Sequence, residues 1–96
     1  MPSESDFHSD TSFRAARVAV ATTTAAETVI LDPVSGRYYG LDAVGSRVWE
    51  HLTDGASLAH LVDVVTEVYD VDAETCERDL RALLKTLLDR GLVEIA

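Results

Sequence analysis

The strongest constraint on this chain is a change in hydrophobic period near residue 42. Before it, apolar residues fall in short β-branched or aromatic runs separated by turn residues. After it, they recur every three to four positions over three long stretches. Strands in one block followed by helices in the next point to an α+β domain. The links between the strands are too short for a parallel crossover, so the sheet is expected to be an antiparallel meander.

Residues 16 to 22 are predicted as the first strand, with Val18 and Val20 alternating with Ala19 and Ala21. Thr22 to Glu27 then forms the first turn. Residues 28 to 32, Thr-Val-Ile-Leu-Asp, form a second strand, and its three consecutive large apolar residues suit a central position. Asp32-Pro33-Val34-Ser35-Gly36 is a hairpin loop: Asp opens it, Pro presets φ, and Gly accepts a positive φ near its close. Arg37 to Leu41 is the third strand.

Asp42 caps a helix running to about Thr53, with Val44, Val48, Trp49 and Leu52 on one stripe and Gly55 beyond its end. Ser57 caps a second, whose stripe is Leu58, Leu61, Val62, Val65, Val68 and Tyr69. Asp72 caps a third, with Thr75 completing half a capping box. Its stripe is Leu80, Leu83, Leu84, Leu87 and Leu88, and Gly91 stops it. Glu74, Glu77 and Asp79 lie towards its positive end, Lys85 and Arg90 towards its negative end. Leu92 to Ile95 are free to form a short terminal strand.

The 96 residues suffice for one domain with one modest core. Residues 1 to 13 are rich in Ser, Asp and Thr and are expected to form a flexible acidic tail, with Phe13 a candidate for anchoring to the body. The domain proper is expected over 14 to 96. Eight Lys and Arg against 17 Asp and Glu give a net charge of −9, which opposes binding to nucleic acid or to an anionic membrane. The single cysteine, Cys76, allows no internal disulfide, and the N-terminus lacks the apolar core of a secretory signal, so a cytoplasmic protein is expected.

No catalytic set emerges. His8, His51 and His60 lack metal-ligand spacing and are expected at the surface, so neither metal nor cofactor is expected. Cys76 lies near a helix N-terminus, but Glu74, Glu77 and Asp79 oppose a thiolate there. A small buried or groove-lining role is expected for it. Gly36, Gly40 and Gly45 do not have phosphate-loop spacing. What remains is a binding surface. The third strand ends the meander and so presents an open edge, to which an extended peptide can add as a further strand. Tyr38 and Tyr39 supply aromatic area on its two faces, and Gly40 admits another backbone.

The stretch Val29-Ile-Leu-Asp-Pro-Val-Ser-Gly-Arg-Tyr-Tyr-Gly-Leu-Asp-Ala-Val-Gly-Ser-Arg-Val-Trp-Glu-His-Leu resembles the PqqD-like recognition elements of ribosomally made, modified peptides. The likeness continues through Val68-Tyr-Asp-Val-Asp to Leu87-Leu-Asp-Arg-Gly-Leu-Val, and is greatest to the free-standing proteins of lasso-peptide pathways. The resemblance implies a winged-helix-like fold of three antiparallel strands and three helices. It implies a non-enzymatic protein that binds the leader of a precursor peptide between the third strand and the third helix. It also implies a separate leader peptidase, a cysteine protease, as partner. Mapped onto this chain, the strand contributes Arg37, Tyr38, Tyr39, Gly40 and Leu41. The helix contributes Cys76, Asp79, Leu80 and Leu83, with Leu84 and Leu87 behind them. The competing readings are a winged-helix DNA-binding regulator, which lacks a basic recognition helix, and a small enzyme or thiol-redox protein using Cys76.

Overall fold

The computed structural model describes residues 8–24 and 27–96. In chain order the elements are β1 (Ser12–Ala15), β2 (Val20–Thr24), β3 (Glu27–Asp32), β4 (Arg37–Leu41), α1 (Ala43–Leu52), β5 (Ala56–Ser57), α2 (Leu58–Val68), α3 (Ala73–Asp89) and β6 (Val93–Ile95). The expected antiparallel meander is β2-β3-β4, followed by three helices in a winged-helix-like α+β arrangement.

The first expected strand is where structure and pattern part. Residues 17 and 18 form a turn, and Val18 is exposed rather than paired. The chain therefore divides into β1 and β2, which belong to different sheets. β1 is the centre of a second small sheet, ordered β5-β1-β6, with Phe13 paired to Ala56 on one side and Ile95 on the other. Phe13 is fully buried, and the boundary drawn after residue 13 falls inside β1. Residues 1–7 of the expected tail lie outside the described residues. Residues 9 to 11 run beside the start of α2, where Ser9 O accepts from Ala59 N at 2.8 Å and Thr11 O from Leu58 N at 3.0 Å.

The helix ends follow from local chemistry. Asp42, Ser57 and Asp72 each hold extended backbone and accept a hydrogen bond from the third residue beyond them, Gly45, His60 and Thr75. α3 closes in a Schellman motif: Leu92 N donates to Leu87 O at 2.9 Å and Gly91 N to Leu88 O at 3.0 Å, with Gly91 at φ 73°. That left-handed turn drives Leu92 and Val93 into the core as the chain enters β6.

Every element except β2, whose residues are all exposed, contributes to a common core that includes Phe13, Ile30, Leu41, Val48, Trp49, Leu52, the α2 residues Leu58, Leu61, Val62 and Val65, and the α3 residues Leu80, Leu84 and Leu87. Val68, expected on the α2 stripe, is exposed because the helix ends there. Thr28 is buried in the sheet, and its hydroxyl is satisfied by the cross-strand hydroxyl of Thr23 at 2.9 Å.

Candidate functional site

Strand register decides which β4 side chains face the helices. Tyr39 pairs with buried Ile30, and Leu41 with buried Thr28, so both lie on the inner face. Tyr38 pairs with Leu31, which stands between it and Val20, and lies on the outer face diagonal to Val29. Tyr38 is 71% exposed, and Val20 and Val29 are also exposed. Among the described residues only β3 pairs with β4, so the opposite edge of β4 is open there.

That open edge borders a groove of about 540 Å3. Its floor and near wall are Tyr39, Gly40, Leu41, Asp42, Val44 and Gly45; its far wall is Val65, Tyr69, Val71, Cys76, Asp79, Leu80 and Leu83. The lining is mostly apolar, with carboxylates only at the rim, as in sites that take an extended or drug-sized ligand. A Cβ at Gly40 would project from the outer face, on the side of Tyr38, and meet nothing within 4 Å. A Cβ at Gly45 would stand 3.1 Å from Leu41 Cβ, so this glycine lets the first turn of α1 close against β4.

The groove runs between antiparallel elements. The end of β4 faces the first half of α3, at Cys76 and Asp79, and the middle of β4 reaches the end of α3, where Arg90 Cζ stands 5.3 Å from the centre of the Tyr39 ring. Arg90 also acts electrostatically on Asp32, a buried carboxylate at the start of the hairpin. Burial raises the Asp32 pKa, but amide hydrogen bonds from Val34 at 3.0 Å and Ser35 at 3.4 Å, with Arg90, leave it below the usual value. Cys76 is buried at the groove wall. Burial pushes its thiol pKa up, and Asp79, Asp72 and Glu77 add to the rise, so the thiol stays protonated.

Of the residues singled out from the sequence, Tyr39, Gly40, Leu41, Cys76, Asp79, Leu80 and Leu83 line the groove together. Arg37 is exposed at the start of β4 and Tyr38 points to the outer face. Leu84 and Leu87 are fully buried in the core behind the α3 wall. Asp42, Val44, Gly45, Val65, Tyr69 and Val71 line the groove without having been singled out for it. The helical stripes mark Val44, Val65 and Tyr69 as apolar-face residues but do not show that α2 ends early enough to uncover them.

His51 and His60 reach one another from α1 and α2, with ring centroids 5.3 Å apart at 67°. Among the described residues, no group of three or more His, Cys, Asp or Glu is placed to hold a metal ion. No helix among them is long and apolar enough to cross a membrane.

Comparison with known proteins gives three similarities. Residues 27–93 match the family model for Coenzyme PQQ synthesis protein D (PqqD). A solved structure of TbiB1 in complex with the TbiA(beta) leader peptide is 40% identical, with a TM-score of 0.78, covering 84% of this chain and 94% of that one. A lasso peptide synthetase B1 complexed with the leader peptide is 30% identical, with a TM-score of 0.75, covering 85% of this chain and 96% of that one. No curated protein matches.

Proposed function

The chain belongs to the PqqD family, and from that premise we propose that it is a non-catalytic recognition protein for the leader segment of a ribosomally made, lasso-type precursor peptide. The leader adds as a fourth strand to the open edge of β4 and lays alternate side chains into the groove against α3. The protein then presents the leader to a separate peptidase, a cysteine protease. The observation that carries this reading is the unpaired edge of β4 lying directly beside the apolar groove. Main-chain hydrogen bonds along the edge supply affinity without regard to sequence; the pocketed side chains supply selectivity. Two relatives whose structures hold leader peptides support the choice of ligand class.

On this reading Tyr39, Gly40, Leu41, Cys76, Asp79, Leu80 and Leu83 contact the peptide, Arg37 and Tyr38 flank it, and Leu84 and Leu87 hold α3 at the right distance. The test is fluorescence anisotropy with a labelled TbiA(beta) leader peptide, a scrambled version of it, and a DNA duplex. Saturable binding of the leader alone is expected. Equal binding of the scrambled peptide removes the selectivity assigned to the groove, and preferential DNA binding restores the regulator.

A further inference from the structure

The charges around the groove are not evenly mixed, and their arrangement specifies the ligand more narrowly than the apolar walls do. Among the described residues, Arg14, Arg78, Arg81 and Lys85 form ion pairs, whereas Arg17, Arg37, Arg47 and Arg90 form none, and of these four Arg37 and Arg90 are the two beside Tyr39. Both stand at one end of the groove. Arg37 starts β4 on the same face of the sheet as Tyr39, and Arg90 lies over the Tyr39 ring. In a chain of net charge −9, two arginines outside any ion pair at one place form a local positive end. Asp32 stands cross-strand from Arg37 and is held ionised by the Val34 and Ser35 amides and by Arg90, so it offsets one of the two charges and leaves this end net positive.

The other end is negative. Asp42 and Asp79 both line the groove and both are exposed. Asp42 spends one carboxylate oxygen on Gly45 N at 2.9 Å and keeps the other. Among the described residues Asp79 pairs only with Arg78, at 3.8 Å, between side chains 72% and 77% exposed, a contact too long and too solvated to neutralise it.

We propose that the groove reads charge order in its peptide: a cationic residue beside Asp42 and Asp79, and an acidic residue beside Arg37 and Arg90. Five residue steps separate Arg37 from Asp42, about 17 Å at the rise of a strand. An added strand has the same rise, so the two peptide charges stand about five residues apart. If the peptide continues the antiparallel order of β2-β3-β4, the cation is N-terminal to the acid. This inference rests on strand addition at β4; complementary charge at the two ends then fixes register and direction, which the repeating backbone bonds alone do not.

The experiment is selection of short random peptides by mRNA display on the full chain, in parallel with an Arg37→Glu/Arg90→Glu variant. All the substituted groups are at the surface, and circular dichroism checks that the variant is folded. Wild-type protein is expected to enrich peptides with Lys or Arg four to six residues N-terminal to Asp or Glu. The variant is expected to lose the acidic preference while keeping the basic one. A synthetic winner with its two charges exchanged is expected to bind about tenfold more weakly or worse. Enriched peptides with no charge order, or with the reverse order, overturn this inference and leave leader binding standing. Failure to enrich any peptide on the folded wild-type protein overturns the peptide-binding reading and this inference with it.

Discussion

A pair of prolines separates strand addition from every other way a peptide could lie near β4. Alternate residues of a strand turn their backbone groups to opposite neighbours, so one of Tyr38 and Tyr39 bonds to β3 and the other faces the open edge. Of the five residues of β4, two or three face outward, and each offers one N–H and one C=O, giving four to six possible bonds to an added strand. Proline at the outward position removes one donor and leaves the peptide carbonyl opposite it without a partner. Stranding one group in this way costs about 1–3 kcal/mol, or roughly 5- to 150-fold in affinity. Proline at the inward position instead breaks the ladder to β3 and lowers the melting temperature. Hydrogen exchange identifies the outward amide independently, since it exchanges quickly in the free protein and slows on binding. Tyr38→Ala and Tyr39→Ala controls separate the backbone effect from loss of the ring. Leader affinity is read by anisotropy and folding by circular dichroism. If the outward proline leaves a folded protein with unchanged affinity, the peptide does not add to β4.

Three further outcomes follow from burial and charge. Leu83→Asp, at a half-buried groove position, is expected to weaken leader binding about tenfold or more with a native spectrum, while the adjacent Leu84→Ala empties a fully buried site and lowers stability by about 3 kcal/mol in urea melts. Phe13→Ala is expected to cost about 3 kcal/mol or more in the same melts, since the ring is core; a cost near zero returns residues 12 and 13 to the tail. Asp72 is held below its usual value of 3.8 by hydrogen bonds from the Thr75 amide and hydroxyl, and Asp32 also lies below it. Their contribution to stability is therefore complete above about pH 4 and is lost as pH falls through their folded values. Melting temperatures taken from pH 5 downward are expected to fall, and Asp72→Asn is expected to flatten that fall.

The helices were legible because their ends carry their own chemistry. Asp42, Ser57, Asp72 and Gly91 each fix a terminus through bonds to residues three to five positions away, and such signals survive in a bare sequence. β4 was legible for the same reason, since the Asp32 to Gly36 hairpin sets where it begins. β1 was not. Its partners are Ala56–Ser57 and Val93–Ile95, more than forty residues away, and a four-residue strand whose pattern is one Phe among polar neighbours takes its identity wholly from them. The groove divides along the same line. Its β4 side follows from position at the end of a meander, whereas its far wall depends on how much of each stripe the core consumes. Leu84 and Leu87 are consumed, Leu80 is buried with one side on the groove, and Leu83 is left over at the wall. A repeat of 3.6 cannot say which leucine is surplus, because that depends on where α2 stops. α2 stops at Val68, the chain turns through Tyr69 and Val71, and the space a further turn of helix would fill becomes the pocket. The groove is thus a consequence of a short helix, and lengthening α2 by one turn is expected to close it.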